Sequence, residues 1–259
     1  MADVIDRLSV QGVDLEVVRR GAGRPLLLLH GMHPVSATAP FLDLLGRHGE
    51  VIAPSHPGFG TSARPAEFDT VYDLVHFYRD VLDHLGHETV TLLGCSFGGW
   101  LAAELAVSCS RRLDRLILVD AVGIKTSGPD TPDILDVFNT APAEVERRSW
   151  HDPAKWQPDF DEMSDEAIVA YARDRDALCL YAWHPYMYNP QLRRWLRRIA
   201  VPTLVLWGAS DRIVSPAYGR AYAGAIPGAR FEVIDAAGHH PEIEQPAAFV
   251  ERVVAFLSS

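Results

Sequence analysis

The chain is poor in cysteine, in unbroken apolar length and in positive charge, and each shortage closes off a class of protein. Cys95, Cys109 and Cys179 are its three cysteines, an odd number at irregular spacings with no C-x-x-C pair. This argues against a disulfide framework or a zinc site and fits a reducing cytoplasm, where buried cysteines act as small hydrophobes. No apolar run reaches the ~18–20 residues that cross a bilayer, so no membrane partner is expected. Met1 to Arg7 lacks the basic start and apolar stretch of a secretory leader, and a cytoplasmic location is therefore expected. Lys and Arg number 24 against 34 Asp and Glu, a formal charge of −10. That balance lacks the basic footprint nucleic acid requires. A small-molecule substrate is the remaining partner, with monomer and homo-oligomer both open.

What is present points to one large core. Apolar residues make up 48% of 259 residues and charged ones 22%, ordinary for a soluble α/β domain of this size. Residues 6–19 read as two short strands around Gln11-Gly12, the second alternating apolar and polar. Pro25–Leu29 is a short apolar run of the kind buried on both faces of a parallel sheet. Further strands read at Val51–Pro54, Val90–Leu93, Leu116–Val119, Thr203–Trp207 and Phe231–Ile234. Thr70 is an N-cap for a helix through Leu85, Gly86 is its stop, and Pro246 opens a final helix. Strands alternating with helices predict a mostly parallel central sheet flanked by helices.

From Gly123 to Pro190 this rhythm breaks. The interval has no strand-like run, carries Trp150, Trp156 and Trp183, and over 125–190 holds 13 Asp/Glu against 6 Lys/Arg. An irregular insertion this long between core strands predicts a helical cap (lid) over a substrate pocket.

Gly94-Cys95-Ser96-Phe97-Gly98 decides the chemistry. It stands between the run Val90–Leu93 and the helix-like stretch Trp100–Ala106, the context of a nucleophile elbow, in which a strained strand-to-helix turn projects the serine above the sheet. A serine hydroxyl is a weak nucleophile and needs a base, which in turn needs an orienting group. Elbow geometry places these downstream as carboxylate, then histidine. Asp211 follows the strand Thr203–Trp207 and His239 follows Phe231–Ile234, so all three side chains belong outside the carboxyl ends of strands. His240 adjoins His239 as a competing base, and Asp120, ending Leu116–Val119, competes as the acid; Asp235 reads as a turn residue.

Together, His30-Gly31, Gly94-Cys95-Ser96-Phe97-Gly98-Gly99, Gly208-Ala209-Ser210-Asp211 and Gly238-His239-His240-Pro241-Glu242-Ile243-Glu244-Gln245-Pro246 resemble the α/β-hydrolase superfamily. The resemblance covers essentially the whole chain outside the insertion. It implies the α/β-hydrolase fold, with residues 1–122 and 191–259 as core and 123–190 as cap. It also implies Ser96 as nucleophile, His239 as general base and then acid, Asp211 as orienting carboxylate, and an oxyanion hole from the amides of Phe97 and Met32. His30 is then a loop-fixing core histidine, and His56-Pro57-Gly58-Phe59-Gly60 a structural loop. His33 lines the pocket or faces solvent, and Trp150 and Trp183 supply either packing or aromatic walls for substrate.

The expected reaction is acyl transfer to water with no metal or organic cofactor, on an ester-type carbonyl of modest size. Serine at the elbow sets the chain apart from relatives with a carboxylate there, the haloalkane dehalogenases and epoxide hydrolases. Carbon–carbon bond hydrolysis of vinylogous diketones is the rival enzymatic reading; against it, Cys95 stands where many such enzymes carry asparagine. A ligand receptor of the same fold, with little turnover, is the alternative of another class.

Overall fold

The computed structural model describes residues 5–128 and 130–259, so the leader reading at Met1 to Val4 and the insertion's Pro129 lie outside the described residues. Eight strands form one sheet: β1 (Ile5–Val10), β2 (Val13–Arg20), β3 (Pro25–Leu29), β4 (Glu50–Pro54), β5 (Val90–Cys95), β6 (Leu113–Val119), β7 (Thr203–Gly208) and β8 (Arg230–Ile234). Their order is β1-β2-β4-β3-β5-β6-β7-β8. The β1–β2 and β2–β4 pairs are antiparallel and every later pair is parallel.

The helices are α1 (Pro40–Gly46), α2 (Val71–Leu85), α3 (Phe97–Cys109), α4 (Pro142–Ser149), α5 (Pro153–Trp156), α6 (Asp165–Ala182), α7 (Leu192–Trp195), α8 (Pro216–Gly224), α9 (Pro241–Glu244) and α10 (Pro246–Leu257). Side chains alternate across a strand, and the run Leu26–Leu29 uses both faces. Leu27 and Leu29 join the core formed with α2, α3 and α8, whereas Leu26 and Leu28 join the opposite core with α1 and α10. That second core includes Phe41 packed edge-on against Phe249 at 6.0 Å.

Local signals set the boundaries of α2. Thr70 Oγ1 accepts from the Asp73 amide while Asp73 Oδ2 accepts from the Thr70 amide, and Gly86 takes the left-handed φ of 71° that closes the last turn. Strand β6 starts three residues before the predicted Leu116. Asp114 and Arg115 hide that start in sequence; they sit at the strand's entrance, Asp114 paired with Arg24 and bonded to Thr91, Arg115 lying 5.9 Å from the Phe256 ring.

The insertion contains α4, α5 and α6 and, among the described residues, no strand. Its sheet-like features are isolated bridges at Gly123–Tyr188 and Ile134–Val214.

Candidate active site

Strands β5, β6, β7 and β8 are neighbours in the sheet, so the loops leaving their carboxyl ends share one rim. At ~4.8 Å per strand, β5 and β8 end roughly 14 Å apart, and the loops must arch inward to meet. They do so zipped together: Ala209 donates to Ile234 O and Ser210 to Ala237 O.

Ser96 sits on the elbow at φ 49° and ψ −113°. A non-glycine residue in this region is strained and persists because its surroundings hold it. Its amide donates to Val119 O at 2.8 Å, and its carbonyl accepts from the amides of Gly99, Trp100 and Val122. Glycine is required beside it for close approach. A Cβ on Gly98 would lie 2.1 Å from Leu29 O, and one on Gly94 would lie 2.3 Å from Gly98 O.

The serine meets its partners. Ser96 Oγ lies 2.8 Å from His239 Nε2, and His239 Nδ1 lies 2.8 Å from Asp211 Oδ2. Asp211 is 5% and His239 7% exposed. Asp211 Oδ1 accepts from the Ile213 and Val214 amides at 2.8 and 3.0 Å, which fixes the carboxylate plane. His240 is not in this relay. Its Nδ1 faces Glu242 Oε1 at 3.6 Å and its ring lies 4.7 Å from that of Trp150. Asp235 is an exposed turn residue after β8.

The chain matches the α/β hydrolase family model over residues 26–252. The chain belongs to the α/β hydrolase family. It is 30% identical over 264 residues to a 2-hydroxymuconate semialdehyde hydrolase of Pseudomonas sp. (strain CF600), covering 95% of this chain and 91% of that one. It is 29% identical over 263 residues to a 2-hydroxy-6-oxo-2,4-heptadienoate hydrolase of Pseudomonas putida, covering 96% and 94%. Among solved structures, a meta-cleavage product hydrolase variant superimposes at a TM-score of 0.80 with 24% identity, covering 99% of this chain and 98% of that one, a likeness of fold alone.

In this α/β hydrolase, a cavity of about 330 Å³ opens over Ser96, within the size range of small-molecule sites. Met32, His33, Phe41, Cys95, Glu146, Trp150, His240 and Glu242 are among its lining residues. The Phe97 amide opens α3, whose N-terminus favours negative charge. Gly31 touches the serine, for a Cβ there would lie 3.2 Å from Ser96 Cβ. Among the described residues, no protein acceptor takes a hydrogen bond from the Phe97 or Met32 amide.

Of the three side chains expected to contact substrate, two reach this cavity. His33 lines it with Nε2 buried and unbonded, while its Nδ1 lies 3.2 Å from Asp174 on α6. Trp150 lines it too, donating through Nε1 to Glu146. Trp183 does not. It caps the end of α6 on the outside, 56% exposed, and faces Phe138 and a separate cavity with Tyr72 and His184.

Sequence reasoning missed several carboxylates. Glu146 accepts from Tyr171 OH and Trp150 Nε1 on the cavity wall, and Asp174 accepts from the Gly60 amide. Glu244 accepts from the amides of Gly238, His151 and Asp152, joining the His239 loop to the insertion. Ser149 O adds a bond from the His239 amide at 2.6 Å. Short polar residues spread over 100 positions give no local pattern that reveals such contacts; the run from Gly238 to Pro246 carried Glu244 unrecognised.

The electrostatics separate the histidines. Burial lowers the His30 pKa well below its ordinary value, with the neighbouring His56 adding to the effect, and His30 bridges the Gly31 carbonyl and the His56 amide. Burial also brings His56 down to about 4. Both are neutral rings that fix the loop, the role expected of His30, and His56 belongs to the loop expected to be structural. Burial pushes His240 the same way, but the hydrogen bond and charge of Glu242, with the charges of Glu146 and Asp211, outweigh it and raise its pKa. Burial, then the charge of Glu242, raise the Cys95 thiol well above its usual value, so it stays protonated beside the serine. The nearest approach to a metal-ligand set among the described residues is Asp120, Asp211 and His239, whose ligand atoms lie within 4.8 Å of one another.

Proposed function

We propose that this hydrolase cleaves a small carbonyl compound through an acyl-enzyme on Ser96, and that the bond it breaks is the carbon–carbon bond of a vinylogous diketone. The continuous relay from Ser96 through His239 to Asp211 carries the first part. The activities named for two relatives that align along nearly the whole chain support the second. Ser96 Oγ attacks the carbonyl carbon while His239 Nε2 takes its proton. The Phe97 and Met32 amides hold the oxyanion, a role worth ~3–4 kcal/mol per donor in transition-state stabilisation. The carbon–carbon bond then breaks. Its electron pair leaves as an enolate conjugated with the second carbonyl, and His239 returns the proton. Water, deprotonated by His239, releases the acid from Ser96. The insertion acts as a lid: Glu146 and Trp150 wall the cavity, and Ser149 O anchors His239.

A second reading, ester hydrolysis by the same steps, is favoured by one observation. The described lining residues include Glu146 and Glu242 and no Lys or Arg, so the wall offers a carboxylate substrate no ammonium or guanidinium partner, which an uncharged ester does not need. A panel of p-nitrophenyl esters and a vinylogous diketone, run on the purified protein and on Ser96→Ala, tests both. Ser96→Ala should lose ~10⁴-fold or more in rate on whichever class is turned over. A Ser96→Ala protein with the parent's rate refutes the acyl-enzyme. A parent that binds ligand without turnover and resists fluorophosphonate labelling is a receptor instead.

A further inference from the structure

The relay accounts for Asp211, yet a second buried carboxyl lies against it. Asp120 follows β6, is fully buried and holds a left-handed φ of 44°. Its amide donates to Leu206 O and its Oδ1 accepts from the Gly208 amide at 2.9 Å, so β7 pins it from both ends. Its Oδ2 is buried and receives no N–H or O–H donor. As a carboxylate, that oxygen would be a desolvated charge with nothing to stabilise it. Ligand atoms of Asp120, Asp211 and His239 lie within 4.8 Å of one another, so a carboxyl oxygen of Asp120 faces one of Asp211. Two carboxyls this close and this buried repel when both are ionised, and a proton on one of them turns the approach into a hydrogen bond. Asp211 accepts from three donors, the amides of Ile213 and Val214 and His239 Nδ1, whereas Asp120 accepts from one. The charge therefore belongs on Asp211 and the proton on Asp120.

We infer that Asp120 is a positioning residue, a neutral carboxylic acid whose Oδ2 hydroxyl donates to Asp211 and holds that carboxylate against His239. The inference rests on the serine-hydrolase reading above. Burial favours the protonated form of Asp120, and the charges of Asp211 and Glu242 favour it further against the single opposing bond from Gly208. The ionisable groups around it are Asp211 beyond β7, His239 and Glu242 beyond β8, and the Cys95 thiol at the end of β5. None is a lysine or arginine that would draw the proton away.

Two substitutions separate this role from its rivals. Asp120→Asn keeps an acceptor for Gly208 and an N–H donor for Asp211, whereas Asp120→Ala removes the donor. Asp120→Asn should keep kcat within about threefold of the parent. Asp120→Ala should lower kcat by roughly 10- to 100-fold with little change in KM, the scale of a displaced catalytic group. Infrared spectra at neutral pH should show a protonated-carboxyl C=O stretch in the parent that Asp120→Asn lacks, and this readout decides the matter should Asp120→Ala fail to fold. Loss of kcat in Asp120→Asn as deep as in Asp211→Asn would make Asp120 a charged partner and overturn the inference. So would parent-like kcat in Asp120→Ala, or a parent without the Asp120-dependent stretch. A parent with the stretch but no turnover and no fluorophosphonate labelling would instead defeat the serine-hydrolase reading alone.

Discussion

Asp211→Asn tests the relay most sharply, because the structure dictates what the replacement must do. Asp211 Oδ1 accepts from two backbone amides and Oδ2 accepts from His239 Nδ1. The amide oxygen of the replacement keeps the Ile213 and Val214 bonds, since an NH₂ group there would face two donors. The amide nitrogen is thereby turned toward His239 Nδ1 and needs an acceptor. The imidazole answers by moving its proton to Nε2, the atom 2.8 Å from Ser96 Oγ. A ring that donates to the serine cannot also accept its proton. This wrong-tautomer effect costs ~10⁴-fold in kcat, about 5.4 kcal/mol at 1.36 kcal/mol per tenfold. Thermal stability should barely change, because the shape and both backbone bonds survive. Steady-state turnover of p-nitrophenyl acetate and the rate of fluorophosphonate labelling should fall together while the melting temperature holds. A variant within tenfold of the parent's kcat would show that His239 is oriented by something other than Asp211.

Two further outcomes concern stability. His56 is fully buried with a pKa of about 4 in the fold, below the ~6.5 of an exposed imidazole, so the unfolded chain binds more protons between those values. Its contribution is intact above pH 6.5 and is lost as pH falls toward 4, by up to about 3 kcal/mol, and His30 acts in the same direction. Denaturant unfolding across pH 4–7 should show that slope, and His56→Gln should flatten it; an unchanged slope in the variant would refute the assignment. Glu244→Ala strands the amides of Gly238, His151 and Asp152, and should destabilise by about 3 kcal/mol or more while lowering kcat through the loosened His239 loop. A melting temperature equal to the parent's would mean those amides find other acceptors.

The parts legible in sequence are those whose cause is local. Thr70, Asp73 and Gly86 fix α2 at both ends by contacts within one turn, and the expected limits coincide with the observed ones. The glycines of the elbow are local too, since the backbone approaches they permit follow from a strand turning directly into a helix. Order along the chain then placed Ser96, Asp211 and His239 in loops at one rim, because parallel strands all end on the same side of the sheet. Where charge interrupts a strand, as at Asp114 and Arg115, the apolar pattern fails and the β6 entrance is lost.

The insertion was legible as helical but not in its packing, and α6 shows why. That helix buries Asp174 and exposes Val169, the reverse of what an apolar stripe would indicate. Its docking is polar and long-range: Asp174 bonds the Gly60 amide and His33, and Tyr171 bonds Glu146 on α4. Such contacts form between residues up to 141 positions apart, so periodicity within the helix carries no trace of them. Accordingly the aromatic Trp183 faces outward, while the polar Glu146 reaches the cavity wall. Further hydrogen bonds fasten the insertion to the loop that carries His239: Ser149 O accepts from the His239 amide, and Glu244 accepts from the amides of His151, Asp152 and Gly238. Two hydrogen-bonded joints therefore tie the segment least readable in sequence to the loop that holds the His239 imidazole.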